Sequence, residues 1–208
     1  MIDSPVLARP SDQKVSDRLE QWFKGDQPRT LASLIELFGE KSFAVVFIVL
    51  MAVPALPLPT GGATHVLELI TMLLALELMV GKRAIWLPQR WTRVELAGPS
   101  GRRLASVLLR EIRLFERVSH PRLRGLLRYR LSREVFGAVV FALSLTAFLA
   151  PPFSGLDTLP SLGVVVLALG VLLEDFVLAA AGFVIGALGA GVVIGLGGLV
   201  LHWLRQLL

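Results

Sequence analysis

The sequence predicts an all-α, polytopic integral membrane protein built from two repeated units of Pro/Gly-broken or re-entrant helices, with amphipathic interfacial helices. Three observations carry that prediction. First, 54% of the 208 residues are hydrophobic and 18% are charged, with a mean hydropathy of +0.70, and the apolar residues are gathered into runs. Second, the stretch 53–80, VPALPLPTGGATHVLELITMLLALELMV, is apolar enough for a bilayer, yet Pro54, Pro57, Pro59 and the Gly61-Gly62 pair interrupt it. Each proline removes a backbone donor and helix interiors penalise glycine, so a helix breaks there. Non-helical backbone at membrane depth survives only where it is buried in protein or lines a wet cavity. Third, the pattern comes twice. Ala44-Val45-Val46-Phe47 recurs as Ala138-Val139-Val140-Phe141, and Pro57 to Gly61 (PLPTG) recurs as Pro151 to Gly155 (PPFSG), both 94 positions on. Leu74-Ala75-Leu76 recurs as Leu167-Ala168-Leu169, 93 positions on. Two matching segments interrupted by Gly and Pro point to a site at a repeat interface near the membrane midplane.

The net charge of +5 has a topological cause. Of 21 Lys and Arg, 14 lie between Lys82 and Arg133, 6 precede residue 42, and only Arg205 follows. A basic loop between membrane segments is the kind retained in the cytoplasm, so residues 82–134 are expected there and nucleic acid is not expected as a partner. The chain has no cysteine, which excludes disulfides and thiolate metal sites. Its first 40 residues are polar and mixed in charge, so the apolar segments themselves are expected to direct insertion.

Five segments follow in order. Residues 1–41 form a polar N-terminal segment with an amphipathic piece from Val15 to Phe23 and a second helix that Thr30 caps and Gly39 ends. Residues 42–81 are the first broken unit. Its first half, Phe43 to Leu56, is too short for a bilayer core of about 30 Å, and Ala63 to Val80 sits near the lower limit for a span. Residues 82–134 are the basic linker. From Arg103 to Val118 it places Leu104, Val107, Leu108, Ile112, Phe115 and Val118 on one helical face and Arg110, Arg113 and Arg117 on the other. Such a helix suits an anionic lipid surface, with Arg83 and Trp86 as interfacial anchors, and it also suits a cytoplasmic docking surface. Residues 135–175 are the second broken unit. Residues 176–208 form a glycine-rich helix whose small-xxx-small pairs, Gly182/Gly186 and Gly191/Gly195, fit close packing against the repeats or a homodimer.

Topology stays open on these grounds. If each unit crosses once, the repeats are inverted and the N-terminus lies outside. If each is a hairpin, both ends return to the cytoplasm and the repeats are parallel.

The segment Ala55 to Gly61 (ALPLPTG), the helix through Leu73-Leu74-Ala75-Leu76, the exit Gly81 to Pro88 (GKRAIWLP) and the later Leu167 to Asp175 (LALGVLLED) resemble the ExoD family of bacterial inner-membrane proteins, over roughly residues 30–200. Family members usually carry Gln where Glu77 stands and a plainer Pro-Gly than Thr60-Gly61-Gly62. The resemblance implies an inner-membrane, multi-pass location, a link to exopolysaccharide production and its machinery, and tolerance of alkaline conditions.

Ionisable groups within apolar segments are default functional candidates because they are costly there. His65 and Glu68 share a helix face just after the first break, where an imidazole beside a carboxylate can hold or relay a proton. Asp157 occupies the second break, where capping of the following helix is its expected job. Glu77 is expected to be solvated, and Glu174 and Asp175 to mark an aqueous boundary. No H-E-x-x-H, G-x-S-x-G, Walker A or dinucleotide motif occurs, so no enzyme activity, cofactor or metal is expected. The binding site is expected at the two breaks: Pro57, Thr60, Gly61, Gly62, His65 and Glu68 with Pro151, Ser154, Gly155 and Asp157. The function expected of it is transport or permeation of a small ion or solute, and the alternative is a non-transporting scaffold for polysaccharide machinery.

Overall fold

The computed structural model describes residues 14–25, 30–57, 63–82, 85, 109–110, 112–114, 116, 130–151 and 154–207. Among these the chain is helical throughout: α1 (Val15–Lys24), α2 (Leu31–Phe38), α3 (Ser42–Met51), α4 (Ala63–Met79), α5 (Arg130–Leu149), α6 (Thr158–Leu173) and α7 (Phe176–Leu207), with a short 3-10 turn at Gly39–Lys41.

The surface elements follow local sequence signals. Helix α1 is amphipathic and buries Leu19 and Trp22 in the common core. Thr30 opens α2 as expected: its Oγ1 accepts from the Ser33 amide at 3.3 Å, and Ser33 Oγ accepts from the Thr30 amide at 3.2 Å. Gly39, at φ +53°, ends that helix in the left-handed region. The linker residues 109–116, where described, are helical, and Ile112 is buried in the same core as α1. Arg113 pairs with Glu20, and Glu116 accepts from Ser16 Oγ at 2.5 Å and from its amide at 3.0 Å. The hydrogen bond and charge of Lys24, with the charge of Arg113, hold the Glu20 carboxyl below its ordinary range. Arg113, expected on lipid, is engaged with the N-terminal helix, and Ile112 beside it packs on this chain's own core.

The central helices are apolar on nearly every face. In α3, Ser42 to Ile48 are all buried, yet ten residues reach only about 15 Å. Helix α6 is buried from Ser161 to Leu172 with Leu162 half-exposed. Helix α5 begins at Arg130, five positions before the apolar run, and takes Arg133 into a buried position. Glu174 adopts a left-handed φ of 58° at the end of α6, where the amides of Glu174 and Asp175 return to Val171 O and Gly170 O. Lys41 reaches across to that end, with Nζ 3.1 Å from Leu172 O and 2.9 Å from Glu174 Oε1.

Helices α6 and α7 form an antiparallel pair whose backbones nearly touch. A Cβ on Gly163 would fall 2.3 Å from Gly186 Cα, and one on Gly182 would fall 2.2 Å from Leu167 N. The Gly182/Gly186 pair is thus spent inside the chain. Gly191 and Gly195 meet nothing within 4 Å.

Three contacts set the remaining directions. Gly137 of α5 faces Ala75 and Met79 of α4, while Phe148 near the other end of α5 stacks on His65 at 5.5 Å, so α4 and α5 are antiparallel. Lys41 at the start of α3 meets the end of α6. The turn after Met51 and the connection 150–157 therefore lie at one end of the bundle, opposite the linker.

Candidate functional site

The site is built at the break end, where α4 begins. Thr64, Glu68, Thr71, Ala75 and Leu78 form its buried stripe, while Val66, Leu69, Leu73 and Leu76 are exposed. The polar residues face inward and the apolar ones outward, the reverse of a soluble helix. Exposed apolar side chains continue on α7 through Phe176, Phe183, Leu188 and Ile194. An apolar surface of this extent marks contact with lipid or another protein.

Glu68 is the centre. Its side chain is 0% exposed, and neither carboxylate oxygen has a hydrogen-bond partner. His65 Nδ1 lies 3.2 Å from Glu68 Oε2, but the approach is off hydrogen-bond geometry, so the buried Nδ1 is unpartnered too. The imidazole is 23% exposed and rests against Phe148 of α5, so it bridges the surface and the buried acid. Asp157, from the connection before α6, lies close enough for its charge to act on Glu68. His65 and Glu68 are brought together here, and Asp157 stands within electrostatic reach of them.

The capping role expected of Asp157 does not occur: it stands at the N-cap of α6 in helical conformation and makes no side-chain cap bond. That role falls to Asp175, whose Oδ1 accepts from the amides of Val177 at 2.9 Å and Leu178 at 3.3 Å. Asp175 is 6% exposed, so it caps α7 from a buried position. Glu77 is also not simply solvated, since its Oε1 pairs with Lys82 Nζ at 2.9 Å.

Of the other break residues, Pro57, Pro151, Ser154 and Gly155 are exposed. Ser154 Oγ donates to Pro151 O at 2.6 Å and accepts from the Leu156 amide at 3.2 Å, which closes the turn in which Gly155 takes φ +68°. Thr60, Gly61, Gly62, Arg83, Trp86 and Arg117 lie outside the described residues. Arg110 is exposed and Arg113 is paired as described.

Sequence reasoning missed two hydroxyls. Ser144 is 0% exposed with an unpartnered Oγ, and it shares the stripe of α5 that carries Gly137 and Phe148. The α4–α5 register puts it level with Glu68 to Thr71. Ser161 on α6 is likewise 0% exposed and unpartnered, on the face turned away from α7. A signal for it was present, because Ser161 follows Glu68 by 93 positions, the offset that relates Leu74 to Leu167. Thr71, by contrast, satisfies its hydroxyl on Leu67 O at 2.8 Å. At the linker end, Arg133 is 5% exposed with its Nε unpartnered.

Buried polar groups are almost always hydrogen-bonded, and an ionised one without a partner is costly. The Glu68 carboxylate, the His65 imidazole nitrogen and the Ser144 hydroxyl, left open at one level, are equipped to take up a proton or a small cation. Among the described residues, no three His, Asp or Glu side chains are grouped to hold a metal ion.

These features define the class: among the described residues an all-helical protein with an apolar core, a few polar groups buried within it and many apolar side chains on its surface, and with two helices long and apolar enough to cross a membrane, Ser132–Leu149 and Phe176–Gly198. Residues 15–195 match the family model described as "Exopolysaccharide synthesis, ExoD", and the chain belongs to the ExoD family. It is similar to a curated protein of Synechocystis sp. (strain ATCC 27184 / PCC 6803 / Kazusa) named "Uncharacterized protein slr1875", with 26% identity over 178 residues, 84% of this chain and 83% of that one. No solved structure matches the chain.

Proposed function

We propose that this protein is a multi-pass inner-membrane transporter in which two related broken-helix units carry a small ion past Glu68. The observation that carries the reading is that wholly buried, unpartnered carboxylate, approached by His65 from the first unit and by Asp157 from the second. An ionisable group kept at such a position is a functional signal, because insertion scales price a central charge at about 3 kcal/mol.

The repeat supports it. Shifting Lys41 forward and Leu172 back by 94 positions gives Val135 and Leu78, next to the contact of Gly137 with Ala75 and Met79. The pairing of α3 with α6 thus mirrors that of α5 with α4. Short helices support it as well: α3, α4 and α6 reach about 15, 25 and 24 Å, less than a hydrocarbon core of about 30 Å, which favours breaks that end at membrane depth. The link to polysaccharide production comes with the family, as a process this activity serves.

The test is ion flux into liposomes that contain the purified protein. Glu68→Gln removes the charge while keeping the shape, and it is expected to abolish protein-dependent flux that Arg110→Gln leaves intact. Absence of flux from the wild-type protein overturns the reading. A membrane scaffold is the second reading, favoured by exposed Arg110 and by the open flank of Gly191 and Gly195, which suit docking and a homodimer. In that case Arg110 substitutions impair function in cells while liposomes show no flux.

A further inference from the structure

We infer that the ion handled at this site is the proton, exchanged between Glu68 and His65, an inference that rests on the transport reading above. The geometry singles out this pair. Glu68 Oε2 and His65 Nδ1 are 3.2 Å apart and neither has another partner, so one proton placed between them gives both a hydrogen bond after a small reorientation. With neither protonated, an acceptor nitrogen faces a bare carboxylate, which leaves two buried acceptors opposed.

The groups facing Glu68 suit a proton better than a metal cation. On its own helix they are His65, Thr64 and Thr71. Helix α5 contributes Ser144 and Phe148, and its ionisable residues, Arg130, Arg133 and Glu134, stand at the far end. Helices α3 and α6 contain no titratable side chain within Ser42–Met51 and Thr158–Leu173. The connection between α5 and α6 brings Asp157. A dehydrated metal ion asks for a shell of oxygens around it. A proton needs only one donor and one acceptor.

The difference in access gives the exchange a direction. Glu68 is closed off, whereas His65 keeps 23% of its side chain exposed. In the outward step the O–H bond at Glu68 Oε2 breaks and an N–H bond forms at His65 Nδ1, leaving a carboxylate beside an imidazolium. The imidazolium then releases the proton on Nε2 to a water molecule or base reaching the exposed edge of the ring, and the ring returns neutral. Rotation of the ring restores an acceptor nitrogen toward Glu68. Asp157 is the acid that the connection before α6 brings near the pair.

The test is labelling of the full-length protein in lipid nanodiscs with dicyclohexylcarbodiimide, which reacts with protonated carboxyl groups in apolar surroundings, followed by peptide mass mapping across a pH series. The expected result is an adduct on Glu68 that fades as pH rises and is the same in sodium, potassium and choline buffers. In His65→Gln the adduct is expected to persist to higher pH, because the acceptor is gone. In Asp157→Asn it is expected to fade at lower pH, because a neighbouring negative charge is gone. Protection of Glu68 by sodium or potassium at fixed pH overturns the inference, as does an adduct indifferent to both substitutions or absent at every pH. Liposome flux separates the two levels. Flux with cation-protected labelling removes the proton and leaves transport standing. A pH-dependent adduct without flux removes transport itself.

Discussion

At Glu68 the chain keeps an ionisable group at a wholly enclosed position. Replacing buried ionic groups with well-packed apolar side chains of similar volume is often neutral or stabilising, by about 1–4 kcal/mol. Glu68→Leu is therefore expected to hold or raise the thermal unfolding midpoint in detergent while flux is lost. A clear fall in that midpoint would mean the carboxylate is structural, and would remove it as a functional residue. The pairing of His65 with Glu68 was legible in the sequence, because residues three apart share a helix face. Asp157 was not placed correctly, since a carboxylate just before a helix reads as a cap by local rules, whereas its side chain makes no cap bond and stands within electrostatic reach of Glu68. The hydroxyl of Ser161 lay between these cases: nothing local marks it, but the repeat offset does.

The pair of α6 and α7 shows how much an element can owe to missing side chains. A Cβ on Gly163 has no flexible neighbour to push aside, only the backbone of Gly186 at 2.3 Å. Gly163→Ala is expected to destabilise by about 1–3 kcal/mol through overpacking. Gly191→Ala, on the same helix pair but facing open space, is expected to be neutral or to gain up to about 1 kcal/mol from helix propensity. Thermal unfolding of the two variants side by side checks this, and equal effects would refute the close approach. The ends of α2 and α3 were readable because Gly and Pro act locally on the backbone: Gly39 closes α2, and α3 stops at Met51, short of Pro54. The start of α5 was not, because Arg130 and Arg133 read as linker charge until tertiary packing draws Arg133 inside. Likewise Arg113 sits on the polar face of the linker helix, and only the fold supplies Glu20 as its partner.

For the molecule as a whole, the arrangement of the helices bears on a topology that charge counting left open. The turn after Met51 and the connection 150–157 lie together, away from the linker, which favours two parallel hairpins over two crossings. The native chain has no thiol, so introduced cysteines report singly. Pro57→Cys and Ser154→Cys are expected to react with a membrane-impermeant maleimide from the same side of sealed vesicles, and Arg110→Cys from the opposite side. Reaction of the first two from different sides would refute the hairpin arrangement. The ends of α3 and α5 lie close to the matching Pro-Gly stretches of the sequence. Their sidedness was not legible there, because both arrangements satisfy the same charge distribution.

Lys41 has one more bearing, on how the chain is made. It fastens the beginning of α3 to Leu172 O and Glu174, some 130 residues downstream, and α3 is too short to hold a place in the bilayer unaided. During synthesis its cradle does not exist until α6 has left the ribosome. The start of α3 is therefore expected to reach its final place only after α6 has been made, although its own sequence emerges far earlier.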